Sequence, residues 1–251
     1  MLHNFGKISD DRAKSLTEQI AIELAKGGVK VGEDLIGEIY NTVKNKESDP
    51  RYAEIRKMIS EVDKFGNDLA DVDELAREAA YTYTKPLLNY WNPRGGRFQA
   101  GLYPVSANVP LGAQTGATPD GRYAGTPVAD GVSPSAGKDV HGPTSAANSV
   151  SRLDHGIASN GTLFNMKFHP SALAGTTGLE NFVALVQTYF EMKGSHMQFN
   201  VVSRETLRDA QKNPDKYRSL VVRVAGYSAL FTTLSKSLQD DIINRTEQSS
   251  F

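Results

Sequence analysis

Few residues can hold an unpaired electron on the main chain. The stretch RVAGYSALF, Arg223 to Phe231, offers one of them, Gly226. Removing a hydrogen atom from a glycine α carbon leaves a planar radical shared by the adjacent amide nitrogen and carbonyl, with no side chain opposing planarity. The plain alternative is a glycine chosen for a tight turn, the role that glycine fills wherever the backbone must turn left-handed. The 251 residues contain no cysteine, so they offer no thiol with which such a radical could exchange a hydrogen atom.

Other chemistries find less support. His3, His141, His155, His169 and His196 form no HExxH or other tight ligand pair, so no metal site is expected. The glycines of GLYPVSANVPLGAQTG match neither a phosphate-binding loop nor a dinucleotide fingerprint, and Ser159-Asn160-Gly161-Thr162 is no nucleophile elbow. The lack of cysteine excludes disulfides, thiolate metal sites and a cysteine nucleophile within these residues. A net charge of -1 argues against nucleic acid as a partner. No apolar run reaches the length of a membrane span, and MLHNFGKISDDRAK lacks the order of a signal peptide, so a cytoplasmic protein is expected.

The elements that would position Gly226 follow from periodicity. Apolar residues recur at helical spacing through Ala13–Leu24 and Leu35–Val43, then from Pro50 through Val62, and again through Leu75, Ala79 and Tyr83 towards Trp91. From Asn92 to Pro143 the chain turns rich in Gly, Pro, Ser and Thr, with a possible strand in FQAGLYPVSANVPLG and a turn at TPDGR, where Asp120 and Arg122 are expected to fix the turn. Strands are expected at Leu163–Phe168, His196–Val202 and Val221–Val224, alternating with helices at Leu179–Met192 and Arg204–Lys212. Strand, helix, strand at this spacing indicates an α/β sheet or barrel segment. Gln198 and Asn200 share one face of their strand, opposite Phe199, and a structural hydrogen-bonding role is expected for both.

The segment around Gly226, with Gln239-Asp240, Ile242-Ile243 and Asn244-Arg245-Thr246 after it, resembles the C-terminal signature of glycyl radical enzymes, the pyruvate formate-lyase superfamily. KFGND (Lys64 to Asp68), SANVPLGAQTGATPDGR (Ser106 to Arg122), ADGVSPSAGKDVHGPTSAANSVSRLDH (Ala129 to His155) and HMQFNVVS (His196 to Ser203) resemble successive blocks of that family, in order. The pattern is closer to the glycerol and diol dehydratase or choline lyase branch than to pyruvate formate-lyase, whose activity is the nearest alternative.

The resemblance implies an α/β fold: the C-terminal part of a ten-stranded barrel, with residues 1–91 a helical segment packing on it and residues 92–251 supplying barrel strands and the radical-bearing C-terminal domain. It implies a glycyl radical at Gly226, generated by a radical SAM activating enzyme, and no other bound cofactor. It implies an N-terminal, cysteine-bearing portion as partner; without it the chain alone would be inactive, or would serve as a radical-bearing subunit of a split enzyme. Tyr103 would face a small-molecule substrate, Arg223 and Tyr227 would support the radical loop, and a homo-oligomer is expected.

Overall fold

The computed structural model describes residues 50–251 except 119. The helices expected over Ala13–Leu24 and Leu35–Val43 lie outside the described residues. The contacts divide the described chain into two compact units: Asp63–Leu111 with Pro127–Phe251, and a smaller one holding residues 50–62 with Gly112–Thr126.

In the smaller unit, helix α1 (Pro50–Glu61) has proline at its first position, where the missing N–H costs nothing. The TPDGR turn is pinned by Arg122, whose guanidinium donates to the carbonyls of Thr126 (2.6 Å), Tyr123 (3.1 Å) and Gly116.

The larger unit opens with helix α2 (Ala70–Leu87). A two-residue strand, β1 (Gly101–Leu102), follows, and then helix α3 (Asn108–Gln114), of which residues 108–111 belong to this unit, so the possible strand in FQAGLYPVSANVPLG is mostly turn and helix. Helix α4 (Gly142–Ser151) forms from GPTSAANSVS, a stretch too poor in large apolar residues to show a helical stripe; its small residues Ala146 and Ala147 are buried. Next come β2 (Gly161–Thr162), β3 (Asn165–Phe168), helix α5 (Gly175–Glu191), β4 (Gln198–Val201) and helix α6 (Arg204–Lys212), capped by Ser203 accepting from Thr206 N–H at 3.1 Å. The chain finishes with β5 (Val221–Arg223), β6 (Ser228–Leu230), helix α7 (Lys236–Asn244) and β7 (Glu247–Gln248).

Strand β3 is the centre of a parallel three-stranded sheet, with β4 on one side and β7 on the other. The β3–α5–β4 crossover is the unit expected from the strand–helix–strand spacing. The Val221–Val224 segment departs from that alternation: β5 pairs antiparallel with β6 as a hairpin, and β7 takes the remaining side of β3.

Period-two alternation divides the sheet into two chemically different faces. Met166, Phe168 and Phe199 join Val150, Leu185 and Tyr189 in one apolar core under α4 and α5, with Phe168, Phe182 and Phe199 in ring contact. The other face carries Asn165 and Lys167 beside their register partners Gln198 and Asn200. A second core, built from Leu207, Ala210, Val222, Val224, Phe231, Ile242 and Ile243, packs α6 and α7 on the hairpin.

Candidate functional site

Gly226 is the second residue of the two-residue loop that closes the β5–β6 hairpin, where Val224 N–H donates to Tyr227 C=O at 2.8 Å. Its φ of +83° is left-handed, so the turn requires glycine on conformational grounds alone. Val224 and Ala225 are buried while Gly226 itself is exposed. A Cβ added at Gly226 would have Leu163 Cδ1 as its nearest neighbour, at 3.5 Å.

The polar face of the sheet grips this hairpin by its backbone. Asn200 donates its amide to Arg223 C=O at 2.8 Å and accepts from Arg223 N–H at 2.8 Å. Gln198 Oε1 accepts from Gly226 N–H at 3.1 Å. Arg245 supplies a third hold, donating Nη1 to Val224 C=O at 2.7 Å. The Arg245 guanidinium is itself fixed by Asp130 (Nε to Oδ2, 3.1 Å) and Asp241 (Nη2 to Oδ2, 2.9 Å). Burial pushes the Asp130 carboxyl up, and the neighbouring Arg245 charge pulls against that shift.

Arg223 donates Nη1 to Ser228 Oγ at 3.2 Å across the hairpin. Burial, and then the Arg223 charge, hold His196 below its ordinary value. Tyr227 packs against the second core. Tyr103 follows β1, is 42% exposed, and accepts at its hydroxyl from Asn160 Nδ2 at 2.9 Å.

Among the described residues the fold also gathers groups that spacing did not connect. His169, Glu205 and Glu247 bring ligand atoms within 4.8 Å of one another. Glu247 already accepts from the backbone N–H of Arg204 at 2.6 Å and lies 3.8 Å from the buried Lys167 ammonium, so groups of the chain itself satisfy it. Lys167 donates to Ile243 C=O at 2.8 Å, at the end of α7, and its burial lowers its pKa to about 8. His155 is held below its ordinary value by burial; its Nε2 faces Val150 C=O and its Nδ1 faces Thr162 Oγ1, both at 2.9 Å. A carbonyl can only accept, which places the proton of the neutral ring on Nε2.

Sequence reasoning missed Asp130, Asn165 and Arg245 as partners of the hairpin. The one available signal was their polar or charged character within otherwise apolar or family-like blocks, and nothing local says which buried polar residue meets which.

Two family models match the chain: "Pyruvate formate lyase-like" over residues 11–112 and "Glycine radical" over residues 128–232. The chain belongs to the glycyl radical enzyme family. Among curated proteins it is 50% identical over 199 residues to the probable dehydratase YbiW of Escherichia coli K12, covering 76% of this chain and 25% of that protein. It is 42% identical over 198 residues to the trans-4-hydroxy-L-proline dehydratase of Clostridioides difficile, covering 78% of this chain and 25% of that protein.

Two solved structures give the fold its context. One, concerned with 1,2-propanediol dehydration in Roseburia inulinivorans, matches at 62% identity and a TM-score of 0.85, over 98% of this chain and 30% of its own. Another, the glycerol-bound B12-independent glycerol dehydratase from Clostridium butyricum, matches at 53% identity and a TM-score of 0.78, over 94% of this chain and 29% of its own. The chain thus has the fold of part of a glycyl radical enzyme barrel, and it spans about a quarter of the length of the curated relatives it matches.

Proposed function

We propose that this chain is the C-terminal barrel portion of a glycyl radical dehydratase acting on a small vicinal diol, with Gly226 as the residue that stores the radical. The observation that carries this reading is the 62% identity, at a TM-score of 0.85, to a structure concerned with 1,2-propanediol dehydration. The match to a glycerol dehydratase agrees with it.

In this reading a radical SAM activating enzyme supplies a carbon radical that takes one hydrogen atom from the Gly226 α carbon, leaving the unpaired electron on the main chain. Since these residues hold no cysteine, the thiol that exchanges a hydrogen atom with Gly226 belongs to another, N-terminal portion of the enzyme. Its thiyl radical takes a hydrogen atom from the diol; the diol radical loses water, and the product radical takes the hydrogen atom back from the thiol to give an aldehyde. Tyr103 contributes to the substrate pocket, while Arg223 and Tyr227 support the radical loop. No other cofactor is bound, and the assembled enzyme is a cytoplasmic homo-oligomer. Among the described residues no helix is long and apolar enough to cross a membrane.

The test combines the chain with its activating enzyme, S-adenosylmethionine and a reductant without oxygen, and then with the cysteine-bearing portion and either 1,2-propanediol or glycerol. A carbon-centred radical signal that disappears in Gly226→Ala, together with aldehyde formation from a diol, is the expected result. A signal that persists in Gly226→Ala would place the radical elsewhere.

A further inference from the structure

Gly226 N–H begins a line of side-chain hydrogen bonds that runs into the protein. Gln198 Oε1 accepts from it at 3.1 Å; Gln198 Nε2 donates to Asn165 Oδ1; Asn165 Nδ2 donates to Asp130 Oδ2 at 2.6 Å. Asp130 ends the line in its ion pair with Arg245. All four side chains are buried, each less than a tenth exposed.

The two ends fix the direction of every bond between them. A backbone N–H can only donate, and a carboxylate paired with a guanidinium can only accept. Asn165 must therefore turn its NH2 towards Asp130 and its oxygen towards Gln198. Gln198 must in turn present its NH2 to Asn165 and its oxygen to Gly226. Each amide is polarised by the next, with the anion at the far end, and such chains strengthen the bonds within them. Asn165 is held independently by its own N–H, which donates to Ser133 Oγ at 2.9 Å.

We propose that Gln198, aligned by Asn165 and Asp130, is a positioning residue that stabilises the radical on Gly226 through the hydrogen bond it accepts from the Gly226 N–H. The inference rests on Gly226 being the radical site. An α-carbon glycyl radical draws electron density from its amide nitrogen, and an acceptor on that N–H raises the density available. The same bond holds the amide plane in one orientation, so nitrogen, α carbon and carbonyl stay coplanar once the hydrogen atom has left. A purely structural Gln198 would satisfy the N–H before activation and have no effect afterwards.

Two variants separate these roles. Gln198→Met removes the acceptor at similar length. Gln198→Glu keeps one: ionised, either oxygen accepts; protonated, the carbonyl accepts while the O–H replaces the bond to Asn165. On the unactivated chain, exchange of the Gly226 amide hydrogen followed by NMR should quicken about fivefold or more in Gln198→Met and stay near wild type in Gln198→Glu.

On anaerobically activated protein, Gln198→Met should alter the coupling of the solvent-exchangeable N–H proton in the radical spectrum, compared in H2O and D2O. It should also shorten the radical lifetime about fivefold. Gln198→Glu should restore both. Unchanged amide exchange in Gln198→Met overturns the inference, as does altered exchange with the same proton coupling and lifetime; each leaves the assignment of Gly226 standing. A radical that survives Gly226→Ala, or a wild-type protein that gives none, removes the assignment of Gly226, and the role of Gln198 goes with it.

Discussion

Arg245 Nη1 donates at 2.7 Å to the carbonyl of Val224, two residues before Gly226, so one buried guanidinium ties the glycine hairpin to the end of α7. The same group faces Asp130 and Asp241, and the three side chains are nearly closed to solvent. Buried charges in this arrangement gain little over an apolar replacement of the whole set, but losing one partner strands the others.

Arg245→Met should therefore cost about 3–5 kcal/mol in urea denaturation, because Asp130 and Asp241 would be left with uncompensated burial. Arg245→Lys should cost less: it keeps the charge but cannot span Val224, Asp130 and Asp241 together. A loss below about 1 kcal/mol in Arg245→Met would mean that water reaches both carboxylates.

Gly226→Ala, the control for any radical measurement, carries a stability cost of its own. The nearest atom to an added Cβ is Leu163 Cδ1 at 3.5 Å, an ordinary contact, so space is not the obstacle. The φ of +83° is, and an alanine held there should lose roughly 1–2 kcal/mol. Ala225→Gly, beside it, offers a comparison in which the hairpin gains freedom without that strain. If Gly226→Ala matched wild type in thermal unfolding, the hairpin would have relaxed out of its left-handed turn.

Much of this arrangement was legible where pattern and burial coincide. Leu207 and Ala210 mark the buried side of α6, and the face shared by Gln198 and Asn200 followed from alternation alone, as did the β3–α5–β4 crossover. Helix α4 escaped because its buried face holds one large apolar residue, Val150, among alanine, serine and proline, which show no periodic stripe. The hairpin was read as one strand because its second arm, Ser228–Leu230, is only three residues long and half-exposed. The line from Gly226 to Asp130 joins residues 28, 33 and 35 positions apart, a pairing set by tertiary packing that no local signal encodes.

Asp139 should make stability depend on acidity. Burial raises its pKa from 3.8 to about 6, against hydrogen bonds from Thr246 and from Gln248 Nε2, the latter at 3.0 Å. Between those two values the folded chain keeps a proton that the unfolded chain has lost. The stability tied to protonated Asp139 is complete below pH 3.8 and declines as pH rises through about 6. Asp139→Asn should flatten that part of the stability–pH profile, with a difference on the order of 2–3 kcal/mol developing across the window. Parallel profiles for the two proteins between pH 4 and 7 would show that Asp139 is solvated in solution.

Oxygen tests the chemistry and the position together. The α carbon of Gly226 is part of the main chain, so dioxygen adding to a radical there leads to scission at that residue and releases a C-terminal piece of about 25 residues. The exposure of Gly226 leaves the loop open to the gas in the chain alone, while its neighbours Val224 and Ala225 stay buried. Mass spectrometry of activated protein admitted to air should find a fragment beginning near Tyr227. Unactivated protein and Gly226→Ala should remain whole under the same exposure. Cleavage in all three samples would indicate ordinary proteolysis at an exposed turn. An intact chain after a confirmed radical signal would place the unpaired electron away from Gly226, and the role argued for Gln198 would fall with it.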